Sequence, residues 1–176
     1  RFESRYMTVS GTGGKELGVG DFNGDGFPDV VSANQTDLAI RFNQDDGGGD
    51  RVFLDGATNV TVLSPGGVPY DVRVADFNND GMDDIAAIGS NGLTLYFGGL
   101  LEDGADVPVD LGLAGDESLL DPNADPEGDG AAVGNYDTEG GMDLALLTSS
   151  GRVLVLTGIG QDGSAQIEEI ALPSDG

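Results

Sequence analysis

The stretch Asp21-Phe22-Asn23-Gly24-Asp25-Gly26-Phe27-Pro28-Asp29 returns as Asp76-Phe77-Asn78-Asn79-Asp80-Gly81-Met82-Asp83-Asp84, and each copy runs straight into a short apolar segment, Val30-Val31 or Ile85-Ala86-Ala87-Ile88. A looser third copy, Asn135-Tyr136-Asp137-Thr138-Glu139-Gly140-Gly141-Met142-Asp143, keeps the nine-residue frame. The copies begin at 21, 76 and 135, spacings of 55 and 59 residues. Self-similarity at such a period marks solenoids, propellers and arrays, so the chain is constrained to a repeat fold with one unit per copy.

Within each unit the apolar pattern is short and strand-like. The first predicts strands at Leu17–Gly20, Asp29–Ser32, Leu38–Phe42 and Val60–Leu63, and the second at Val72–Ala75, Asp84–Ile88, Leu93–Tyr96 and Val107–Leu111. The third predicts Ala131–Val133, Leu144–Leu147, Val153–Thr157 and Ile167–Leu172. Ser90-Asn91-Gly92, Ser149-Ser150-Gly151 and Gln161-Asp162-Gly163 have the composition of hairpin turns. No segment sustains a 3.6-residue apolar period, so helix is not expected. Four-stranded units repeated in this way are propeller blades. The expectation is an all-β fold of β-propeller-type blades, three four-stranded antiparallel units. It divides into blade 1 at about 10–64, blade 2 at about 68–112, an acidic linker at about 114–130 and blade 3 at about 131–173, within a single repeat domain 1–176. Three blades fall short of the four to eight that usually close a ring. A fragment or open arc of a larger propeller is therefore expected, with a ring closed by self-association and a packing unlike a ring as the alternatives. Tyr6–Val9 has the phase of an outer strand.

Oxygen-bearing side chains stand at positions one, three, five and nine of the repeated loop. Calcium takes about six to eight oxygen ligands, and a chain supplies them by curling so that alternate residues point inward. Glycine at position six, Gly26 or Gly81, permits the sharp turn, and position seven can add its carbonyl. The candidate ligands are Asp21, Asn23, Asp25, the Phe27 carbonyl and Asp29, and then Asp76, Asn78, Asp80, the Met82 carbonyl and Asp84. The third copy offers Asn135, Asp137, Glu139, the Gly141 carbonyl and Asp143, a weaker set because it opens on an amide. An EF-hand is excluded, since position twelve is Ser32 or Ala87 instead of a bidentate Glu. One such loop also reads as an Asx-rich solvated turn; two near-identical copies in equivalent strand contexts favour the ion. Phe22, Phe77 and Tyr136, at position two, are expected to anchor the loop in the core. The acidic stretches Asp121–Asp129 and Asp45–Asp50 read as solvated loops.

Gly18–Val31, GVGDFNGDGFPDVV, and Arg73–Ile88, RVADFNNDGMDDIAAI, resemble FG-GAP or VCBS repeats, the calcium-loop blades of integrin α-subunit propellers and of many secreted bacterial proteins. The resemblance implies an ion in the hairpin between the first two strands of a blade. It also implies an extracellular or cell-surface location and a structural, adhesive or ligand-binding role.

Composition narrows the function further. With 32 acidic and 7 basic residues the net charge is -25, which sets the chain against a phosphate backbone and excludes ordinary nucleic-acid binding. No apolar run reaches the roughly 20 residues of a membrane-spanning helix. There is no Cys and no His, so thiolate or imidazole catalysis has no residue to use, and the chain is not expected to be an enzyme. The few arginines, Arg41, Arg51, Arg73 and Arg152, are expected to pair with neighbouring acids. The expected partner is a protein or glycan ligand. A lectin-like module is the first alternative, disfavoured by the absence of Trp, and an accessory propeller region of a secreted hydrolase or lyase is the second.

Overall fold

The computed structural model describes residues 16–33, 36–45, 47–53, 60–65, 67–101, 107–109, 111, 113, 118–119, 130–138 and 140–171. All named elements among them are β-strands. The first sheet runs β1 (Glu16–Gly20), β2 (Asp29–Ala33), β3 (Leu38–Arg41), β6 (Val60–Leu63), each antiparallel to the next. The second has β7 (Pro69–Ala75), β8 (Asp84–Gly89), β9 (Gly92–Tyr96) and β10 (Val107–Val109) in the same order, and the third β11 (Ala131–Gly134), β12 (Asp143–Leu147), β13 (Arg152–Thr157) and β14 (Gln166–Ala171). These are the expected three four-stranded units. Among the described residues they do not close into a ring. Between β3 and β6 the chain throws out a two-stranded ribbon, β4 (Asn43–Asp45) and β5 (Arg51–Phe53).

The sheets stack face to face, with β7 lying against β1 and β2 on one side and β11 on the other. The middle sheet is therefore covered on both faces. Its strand β8 reads as an unbroken apolar run for that reason: Ile85 and Ala87 enter the core shared with the first sheet, beside Phe22, Val31 and Leu38. Ala86 and Ile88 enter the core shared with the third, beside Phe77, Leu144 and Leu146. Strand β12 of the third sheet alternates instead: Leu144 and Leu146 are buried while Ala145 and Leu147 are half-buried. In β2 of the first sheet Val30 is half-buried, but Ser32 is buried along with Val31 and Ala33.

The three turn signals close β8–β9, β12–β13 and β13–β14. Arg73 pairs with buried Asp71 at 2.9 Å and Arg152 with Glu169 at 2.8 Å, as expected of scarce cations in an acidic chain. Asp45–Asp50 is the loop end of the ribbon, where Asp45 Oδ1 accepts the Gly47 and Gly49 amides. One expectation fails. Phe22 and Phe77 are core residues at 1% exposure, but Tyr136 is 49% exposed. The two phenylalanines fill the space between their own sheet and the following one, and the third sheet has no following one among the described residues. The Tyr6–Val9 strand and the Asp121–Asp129 loop lie outside the described residues.

Candidate metal centre

Each acidic loop joins the first two strands of a sheet, at 21–28 between β1 and β2 and at 76–83 between β7 and β8. In the first loop Asp21 Oδ1 accepts the Asp25 amide at 3.1 Å and Oδ2 the Gly26 amide at 2.7 Å. Asn23 Oδ1 accepts the Asp25 amide at 3.0 Å, and Asp25 Oδ1 the Phe27 amide at 2.9 Å. The second loop repeats every bond: Asp76 takes the amides of Asp80 and Gly81, Asn78 that of Asp80, and Asp80 that of Met82. The wrap needs left-handed backbone at positions four and six, where Gly24 and Gly26 have φ of 72° and 82° and Asn79 and Gly81 of 59° and 89°. Asn is among the few side-chain-bearing residues that enter that region readily.

Position nine is a different kind of acid. Asp29 and Asp84 are fully buried. Asp29 Oδ2 accepts the Phe22 amide at 3.1 Å and Oδ1 the Asn43 amide at 2.8 Å. Asp84 Oδ2 accepts the Phe77 and Asn78 amides at 2.9 and 3.3 Å, and Oδ1 the Gly98 amide at 2.8 Å. Burial raises the Asp29 carboxyl above its ordinary range, opposed by the Asn43 and Phe22 amides and reinforced by the charges of Asp25 and Asp21. Burial likewise pushes Asp84 up to about 6 despite its amide bonds. A nearby dication would offset that cost directly.

In the third copy, Asp143 keeps the position-nine role, accepting the Tyr136 and Asp137 amides. Thr138 stands at position four without a positive φ, as expected of a β-branched side chain, so the third loop does not repeat the frame. Glu139 lies outside the described residues.

The donor set fits a hard cation in kind: carboxylate, amide and carbonyl oxygens in one short loop. A carboxylate oxygen that accepts one amide keeps a second lone pair for an ion. Among the described residues, no three Asp, Glu, His or Cys side chains converge to hold a metal ion. The positions that sequence reasoning missed are Asn43 and Gly98, whose main-chain amides hold the buried acids from across the sheet. Only strand register reveals them.

The loops also join the sheets. Asp83, at position eight of the second loop, donates its amide to the Asp21 carbonyl at 3.0 Å and accepts the Asp21 amide on Oδ2 at 2.8 Å. Met142, at position eight of the third, donates to the Asp76 carbonyl at 2.8 Å. Position one thus ties its own loop with its side chain and the next sheet with its main chain.

Stacked four-stranded sheets, each with an acidic loop between its first two strands, define an all-β repeat of the blade class. Residues 21–87, which hold the first two loops and the strands between them, match the model of the FG-GAP-like repeat family, and this segment is an FG-GAP-like repeat. No curated protein matches the chain significantly.

Proposed function

We propose that the chain is an extracellular calcium-binding repeat module, with one ion held by Asp21, Asn23, Asp25, the Phe27 carbonyl and Asp29 and another by Asp76, Asn78, Asp80, the Met82 carbonyl and Asp84. The observation that carries this reading is the identical amide wrap of the two loops, residue for residue. Repeats of this family commonly bind calcium. The ion supplies positive charge where carboxylates crowd, in a chain of net charge -25. Its role is structural, and the stacked sheets serve adhesion or ligand binding without catalysis. Extracellular calcium suits loops of this type, which work at dissociation constants of about 10⁻⁴–10⁻³ M outside cells. Tenfold saturation of one site stabilises the fold by roughly 1.4 kcal/mol.

Melting the protein in calcium and in EDTA, with titration calorimetry to count ions, tests the proposal. A higher midpoint in calcium and a stoichiometry of two are expected. An unchanged midpoint with no heat of binding would sink the metal reading.

A further inference from the structure

Three acids of the second loop, Asp76, Asp80 and Asp84, stand at positions that the repeat keeps for oxygen donors. The fourth, Asp83, does not. It occupies position eight, where the first loop has Pro28 and the third Met142. The repeat therefore gives no reason for an acid there, and the reason lies in the neighbouring sheet.

Asp83 Oδ2 accepts the Asp21 amide at 2.8 Å, and the Asp83 amide donates to the Asp21 carbonyl at 3.0 Å. The two bonds grip Asp21 on both sides of its Cα. The first is charge-assisted and so the stronger kind, and both residues are half-buried, which shields it in part from water. The carboxylate reaches across because Gly20 has no side chain: a Cβ there would lie 2.7 Å from Asp83 Cβ and 2.8 Å from its Oδ2. Gly20 in turn pairs with Asp29, the buried acid that closes the first loop.

Asp21 is position one of that loop, and its carboxylate receives the Asp25 and Gly26 amides that form the wrap. A ligand whose backbone is fixed before the ion arrives loses less conformational freedom when the ion binds. The second sheet thus preorganises the first loop. Asp76, the equivalent residue of the second loop, receives only the main-chain half of this grip at position eight. The Met142 amide donates to its carbonyl at 2.8 Å, but a thioether is a weak acceptor and cannot hold an amide as the Asp83 carboxylate does.

We propose that Asp83 is a positioning residue for the first calcium site. It is contributed by the second sheet, is not itself a ligand, and raises the affinity of the first loop by fixing Asp21. The inference rests on the calcium reading of both loops, and the experiment separates the two.

Asp80→Ala silences the second loop and Asp25→Ala the first, so calcium titration calorimetry on the full chain reads one site at a time. Into each background go Asp83→Ala, which removes the acceptor, and Asp83→Asn, which keeps an acceptor oxygen. Both substitutions remove the same charge, so their difference isolates the bond to Asp21. With only the first site left, the Ala variant should bind calcium about 5- to 30-fold more weakly than the Asn variant, which corresponds to ordering one residue's backbone. With only the second site left, the two should agree within about twofold. In EDTA the Asp21 amide should exchange faster in the Ala variant than in the Asn variant, a readout that needs no metal. Should Asp83→Ala not fold, Asp83→Met, which installs the residue found at this position in the third loop, takes its place. Equal affinities of the Ala and Asn variants at the first site, or an equal difference between them at both sites, overturns the proposal and leaves the calcium reading standing. A first site that binds no calcium overturns it too, and if the second site also binds none, the calcium reading falls with it.

Discussion

Gly20 allows the stacking of the sheets to be tested with one methyl group. A Cβ there would lie 2.7 Å from both Asp83 Cβ and Val74 Cγ1, where ordinary contact begins at 3.4 Å, so the second sheet must retreat by roughly 0.7 Å. The Asp21–Asp83 bonds, at 2.8 and 3.0 Å, cross the same joint and would stretch past about 3.5 Å, outside hydrogen-bond range. Overpacking of this kind costs about 1–3 kcal/mol, and two lost hydrogen bonds cost about 1 kcal/mol each. Replacing glycine restricts the unfolded chain and returns about 0.4–1 kcal/mol. The net loss is roughly 2–4.6 kcal/mol, which for a chain of this size lowers Tm by about 4–18 °C. Gly47→Ala is the control: φ is 84° with nothing within 4 Å of a Cβ, so it carries backbone strain alone, about 1–2 kcal/mol. Circular-dichroism melts should be read together with hydrogen exchange at the Asp83 amide, which Gly20→Ala should accelerate and Gly47→Ala should not. A Gly20→Ala protein that melts at or above the wild type, with its Asp83 amide equally protected, refutes the close joint.

Arg73→Met removes the ion-pair partner of buried Asp71 and the bond from Arg73 Nε to the Ala131 carbonyl. Breaking a buried pair costs about 3–5 kcal/mol, and the partial exposure of Arg73 places the expected loss at the lower end of that range, measured by urea unfolding. Asp84→Ala leaves the buried Phe77 and Gly98 amides without their acceptor, at about 1–3 kcal/mol for each. That loss should persist in EDTA, whereas Asp21→Asn, in the loop's amide wrap, should chiefly reduce the calcium-dependent part of Tm.

The strand map was largely legible because the repeat supplies three readings of one pattern. The expected ends of the second unit's first strand, Val72–Ala75, fall within β7, which starts earlier at Pro69. The β4–β5 ribbon was not legible. Asn43-Gln44-Asp45 has no apolar alternation, and its placement comes from backbone pairing and from the bond between the Asn43 amide and Asp29. The loop's acids were visible as oxygen donors, but their division into two roles was not. Positions one, three and five are half-buried or exposed and accept main-chain amides of their own loop, while position nine is buried and also accepts a main-chain amide from across the sheet. Periodicity reports which face a residue takes, and it carries no information on main-chain partners fourteen residues away, the separation of Gly98 from Asp84.

The third copy differs from the first two for two separable reasons. Thr138 replaces the residue that must enter the left-handed region, which acts on the wrap and so on any ion there. Tyr136 replaces a buried phenylalanine, which acts on the face that a following sheet would cover. A polar-tipped ring suits an exposed position, and this one lies over Gly134. In the first loop Pro28 holds the place of the donors Asp83 and Met142 and has no N–H. The first copy therefore keeps the full wrap and lacks only that main-chain donor, whereas the third loses the wrap and keeps the donor in Met142.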